Sequence, residues 1–148
     1  MPVPILKQGD VLIASIQSAL TDRDLLDFKD ELGQKVGRFR SRGVIIDVTA
    51  LDVLDSFATR TLRNIAAAAR LRGAATVVVG IQPDVAIAIV QLGLTLEGVA
   101  TALDLEEGLE LLREAQAAKS SHPAARRATG RALVRHRWCR LRQEERYR

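Results

Sequence analysis

Two short apolar runs constrain this chain more than any other feature. They are "GVIIDV" (43–48) and "ATVVVG" (75–80). Both are β-branched and almost free of polar residues, the pattern of strands covered on both faces in a parallel sheet. Between them lies "SFATRTLRNIAAAARLRG" (56–73), where Ala58, Leu62, Ile65 and Ala69 line one helical face and Arg60, Arg63, Arg70 and Arg72 lie elsewhere. Strand, helix and parallel strand make a right-handed crossover unit.

The flanking segments extend that unit. "ILKQGDVLIASI" (5–16) reads as a hairpin turning at Gly9-Asp10. Thr21 with Asp24 resembles a capping box for a helix in which Leu25, Phe28, Leu32, Val36 and Phe39 recur at helical spacing. Acids crowd its start and Lys35, Arg38 and Arg40 its end, which complements the helix dipole. Gly33, in its middle, is expected to serve close packing. Pro83 opens a short helix, "PDVAIAIVQL", which Gly93 ends. "GVATAL" (98–103) is a last strand. Asp104 and Glu107 resemble a second capping box, ahead of a stripe of Leu105, Leu109 and Leu112. The expected order is β-β-α-β-α-β-α-β-α, an α/β domain with a mixed, mostly parallel sheet and helices packed on it.

Charge divides the chain. Lys119 and nine arginines against Glu144 and Glu145 leave residues 119–148 at +8, whereas residues 1–118 stand at −4, within a net charge of +4. We therefore expect one domain over 1–118 and a loosely linked basic extension over 119–148, helical from about residue 131. Val134, Trp138 and Leu141 form one narrow stripe there. Three readings of the extension stay open: a partly disordered tail, a basic helix packed on a neighbouring subunit, or a nucleic-acid or anionic-membrane contact. No apolar run approaches the ~20 residues that span a bilayer. No secretory signal opens the sequence, and a single cysteine, Cys139, allows no internal disulfide. A cytoplasmic protein is the simplest reading.

Catalytic chemistry is sparse. His122 and His136, the only histidines, lie in the basic extension. Residues 1–118 therefore offer no Ser–His or Cys–His pair, and no nucleotide-binding loop is present. No metal ligand set, cofactor or small-molecule substrate is expected. Asp47, Asp52 and Asp55 raise a rival: a receiver-like carboxylate site for phosphoryl transfer with Mg²⁺. An acidic pair after the first strand would be needed, and none follows. Loop carboxylates and helix caps are the plainer reading. Ser56, opening the central helix, also has two readings. It is a favoured N-cap, or its hydroxyl is a substrate, since a phosphate at a helix N-terminus meets open N–H groups and the positive dipole end.

The order of elements, with "IDVTALDVLDSFATRTL" (46–62) and "TVVVGIQPDVAIAIVQLG" (76–93), resembles the STAS family of anti-sigma-factor antagonists. "PILK", "DSF", "GIQP" and "VATALDLEEGLE" are similar to its small stressosome members, over about residues 3–117. The resemblance implies a non-catalytic scaffold in a large cytoplasmic signalling assembly that restrains the bacterial general stress response. It would copolymerise with sensory STAS paralogues and itself form a dimer or larger homo-oligomer. It would sequester a serine/threonine switch kinase, release it once Ser56 is phosphorylated, and be reset by a metal-dependent phosphatase of the PP2C type. By motif position Ser56 is the phosphoacceptor, with Asp55 and Phe57 as docking neighbours. The alternative is a simple antagonist that binds an anti-sigma-factor kinase and frees a sigma factor. Nucleic-acid binding through the basic extension is the less favoured reading. The extension itself matches nothing in the family pattern.

Overall fold

The computed structural model describes residues 3–120, so the expectations for the basic extension lie outside the described residues. The elements run β1 Ile5–Gln8, β2 Val11–Ser15, α1 Asp22–Phe39, β3 Gly43–Asp47, α2 Ser56–Leu71, β4 Ala75–Val79, α3 Pro83–Gln91, β5 Ala100–Ala102 and α4 Leu105–Ser120. This is the order read from the sequence. The last strand is three residues long where six were expected, because Gly98 turns at φ 75° and delays its start.

Spatial order in the sheet equals chain order, β1-β2-β3-β4-β5. The β1–β2 hairpin is antiparallel, turning at Gly9 with φ 59°. The pairs β2–β3, β3–β4 and β4–β5 are parallel, in the register Ala14–Ile46–Val78 across the middle. Alternation along the strands then builds two apolar layers. Leu12, Ala14, Val44, Ile46 and Val78 join Phe28 and Leu32 of α1, Leu62 and Ile65 of α2, and Val85 and Ile89 of α3. Ile45, Val77 and Val79 on the opposite face meet Leu112 of α4. Three helices thus share one face, the result of successive crossovers of the same hand. Of the described residues, 3–113 form one compact unit, and the end of α4, from residue 114, falls outside it.

Local sequence accounts for most element ends. The Thr21 hydroxyl accepts from the Asp24 N–H at 3.2 Å, and the Asp24 carboxylate accepts from the Thr21 N–H at 3.1 Å, a complete capping box. At α4 the Asp104 carboxylate accepts from the Glu107 N–H, but Glu107 reaches back to the Leu103 N–H, one residue beyond a regular box. Three packing expectations are corrected. A Cβ at Gly33 would meet open space; its carbonyl instead accepts from Arg72 Nη1 at 3.1 Å, and it is Gly37 whose Cβ would strike that guanidinium. Phe39 leaves the buried stripe at the last turn of α1, where Lys7 Nζ lies 4.8 Å from its ring centre. Leu105 is exposed, and the residue of α4 pressed on the sheet is Gly108: a Cβ there would stand 2.8 Å from Val79 Cγ1.

Candidate functional site

The central helix α2 begins at the carboxyl end of β3, after the loop 48–55. Its N-cap is Asp55, in extended conformation at φ −76° and ψ 175°, and the Asp55 carboxylate accepts from the Ala58 N–H at 2.7 Å. The cap reading of Ser56 is therefore corrected. Of two adjacent residues that both favour caps, the first takes the extended conformation and Ser56 becomes the first helical residue. Its side chain is exposed and makes no hydrogen bond among the described residues.

The bonds around it leave the helix tip open. Thr59 donates its backbone N–H to the Asp55 carbonyl at 3.0 Å and its hydroxyl to the same oxygen at 2.9 Å. Ala58 is taken by the cap, so the N–H groups of Ser56 and Phe57 have no partner within the helix. An added anion on Ser56 would meet those donors and the positive end of a 16-residue helix. Other hydroxyls on α2 are poor competitors: Thr59 and Thr61 are buried at 2% and 4% exposure.

Phe57 is half-buried and belongs to neither apolar layer. Beside Asp55 opens an apolar cleft lined by Leu20, Leu25, Leu51, Val53, Leu54 and Ala58. Val53 is 74% exposed, an unusual position for valine, and forms part of its wall. Sequence reasoning missed this cleft. Its signal was present as Leu51, Val53 and Leu54 in a loop otherwise short of apolar demand. Across the cleft stands the first turn of α1, where the Thr21 hydroxyl, donating to the Asp24 carboxylate at 2.7 Å, holds that carboxyl below its ordinary value.

The three aspartates of the receiver-like rival serve separate structural ends. Asp47 accepts from the N–H and hydroxyl of Thr49 in a tight turn, Asp55 caps α2, and Asp52 is exposed on the loop. Among the described residues no group of three or more histidine, cysteine or carboxylate side chains is arranged to hold a metal ion. Nor, among them, is any helix long and apolar enough to cross a membrane.

Comparison with known proteins agrees with this architecture. The family model described as STAS domain matches residues 3–108. A serine-to-glutamate variant of RsbS from Moorella thermoacetica is 41% identical, covering 77% of this chain and 97% of that one, with a TM-score of 0.68. A chain from the structure entitled "Molecular architecture of the stressosome, a signal integration and transduction hub" is 42% identical over 76% of this chain and 98% of its own, with a TM-score of 0.67. The RsbT co-antagonist protein RsbRA of Bacillus subtilis is 35% identical over 79 residues, 53% of this chain but only 29% of that protein's length. The chain belongs to the STAS domain family and, within it, is of the RsbS-like anti-sigma-factor antagonist type.

Proposed function

We propose that this chain is a non-catalytic stressosome scaffold whose state is written on Ser56. Unphosphorylated, it copolymerises with larger STAS paralogues and holds a serine/threonine switch kinase, restraining a general stress response in the cytoplasm. Phosphorylation of Ser56 by that kinase weakens the hold, and a PP2C-type phosphatase resets it. The supporting observation is the Ser56 hydroxyl itself: exposed, unbonded and relieved of capping by Asp55. A hydroxyl with no structural duty at a helix tip can gain about two negative charges without unfolding the helix.

Similarity supports the partners. RsbRA is named as a co-antagonist of RsbT, and we take the sequestered kinase to be a protein of that kind. Such a kinase must approach the tip of α2 to reach Ser56. Asp55, Phe57 and the apolar cleft beside them are then its docking surface, buried aromatic and aliphatic contacts carrying the affinity.

The test is to incubate the chain with an RsbT-like kinase and ATP and to locate the phosphate by mass spectrometry. Phosphate on Ser56 is expected. Ser56→Ala should bind the kinase and retain it. Ser56→Asp should release it only in part, having one charge and fewer acceptor oxygens. Phosphate found only on Thr59, Thr61 or Ser15, or equal kinase affinity in both variants, would defeat the proposal. Particle mass adds a second check. A large assembly with a paralogue is expected; a monomer or dimer beside a sigma-factor antagonist kinase would favour simple antagonism.

A further inference from the structure

The pole of the sheet opposite Ser56 gathers arginines. There α1 ends, β3 begins and α2 ends, so parallel crossovers bring "RFRSR" (38–42) and "RLRG" (70–73) together. A cavity at this pole is lined by Arg40, Arg42 and Arg72 with Ser41, Gly37 and Gly73, and no carboxylate lines it. Among the described residues Lys35 and Glu31 form an ion pair, and none of the three arginines takes part in it.

Helix ends attract cations, and that accounts for some of this charge. Arg38 lies in the last turn of α1 and Arg70 in that of α2, which serves both dipoles. Arg40 and Arg72, the C-cap residues of α1 and α2, add to the same effect, whereas Arg42 lies past the end of α1 and is surplus to that need. Arg40 also occupies the left-handed conformation at φ 48° and ψ 46°, the sole non-glycine residue with positive φ among those described. Glycine suits such a helix end better, so the side chain is present against the backbone's preference. Arg72 is held in place by its bond to the Gly33 carbonyl, lying across α1 where Gly37 leaves room. Finally, Ser41 is only 4% exposed, lines the same cavity, and its hydroxyl has no hydrogen bond among the described residues.

We propose that this cavity binds a phosphate group, gripped by the guanidinium groups of Arg40, Arg42 and Arg72, with the Ser41 hydroxyl as a further donor. Guanidinium forks match the tetrahedral oxygens of phosphate, and each bond is charge-assisted. The phosphate has two sources of the same chemistry: a phosphorylated side chain on another copy of this chain, or a free phosphate compound. The site stands independently of the role given to Ser56.

The experiment titrates the full chain at fixed ~150 mM salt, following backbone amide shifts by NMR, so that anion binding elsewhere on the chain is read separately. One arm uses inorganic tripolyphosphate. The other uses a peptide of residues 50–62 phosphorylated on Ser56, against its unphosphorylated form. Saturable shifts at Ser41, Arg42 and Gly73 are expected. They should weaken at least tenfold in Arg40→Gly and in Arg42→Gln. Arg40→Gly should melt no lower than the wild type, because glycine relaxes that backbone, which separates loss of ligand from loss of fold. Saturation by the phosphopeptide assigns the source to a second copy; saturation by tripolyphosphate alone assigns a free compound. Absence of saturable shifts at these amides with either probe, or wild-type affinity in both variants, overturns the proposal.

Discussion

Removing the carboxylate of Asp55 should hurt the fold, whereas removing the hydroxyl of Ser56 should not. Asp55 makes a 2.7 Å bond to the Ala58 N–H at the start of the helix that covers the centre of the sheet. Deleting such a cap costs about 1 kcal/mol, within a range of roughly 0.5–2. For a domain of this size that lowers the melting temperature by about 4 °C. Ser56 is exposed and unbonded at the first helical position, and alanine has the better helix propensity, so Ser56→Ala should fall within about 0.5 kcal/mol of the wild type. Asp55→Asn should retain most of the cap, since an amide oxygen also accepts. Urea unfolding followed by circular dichroism at 222 nm, on the four proteins side by side, reads the order directly. Equal losses in Asp55→Ala and Ser56→Ala would make Ser56 a cap partner after all. The case for a hydroxyl kept only as a phosphoacceptor would then fall.

Other expectations concern packing and pH. Ala66→Leu and Ala69→Leu, both on the buried face of α2, should each cost about 1–3 kcal/mol by overpacking, and Arg63→Ala under ~0.5; similar costs at all three would mean the helix is rotated from the position described. Gly108→Ala should destabilise by about 1 kcal/mol or more despite its better helix propensity, because the new methyl would meet the buried Val79; a stabilised variant in the same unfolding assay would contradict that contact. The carboxyl of Asp24 is held below its ordinary value by Thr21, so its share of stability is present above the unfolded-state value and lost as pH falls through the folded one. Thr21→Val should therefore flatten the acid limb of the stability curve just below pH ~4, and an unchanged limb would show the box to be unimportant.

Much of this architecture is legible in residue pattern because burial and period coincide. The runs at 43–48 and 75–80 are covered on both faces, and no alternative element accommodates them. Thr21 and Asp24 signal a helix start through a reciprocal bond that only that spacing permits. The site was less legible. In the pair Asp55-Ser56 either residue can cap, and the choice rests on backbone angles in the loop from β3, which no local preference determines. Gly33 and Gly37 look equivalent along α1, yet only at Gly37 would a Cβ strike Arg72, which comes from 35 positions further along the chain. The arginine pole appears in sequence as two separate basic ends, joined only once the crossovers are laid side by side.

Because strand order in space repeats strand order in the chain, every strand finds its neighbour already made. No early strand waits for a late one, so loop closure between strands stays short and assembly can proceed from the N-terminus as the chain emerges. The exception is the second face of the sheet. Ile45, Val77 and Val79 remain bare until Gly108 and Leu112 of α4 close over them. Docking of α4 is thus the step at which this face of a nascent chain stops being adhesive. Substitutions at Gly108 or Leu112 should prolong that interval, so that aggregation during refolding rises out of proportion to the equilibrium stability lost.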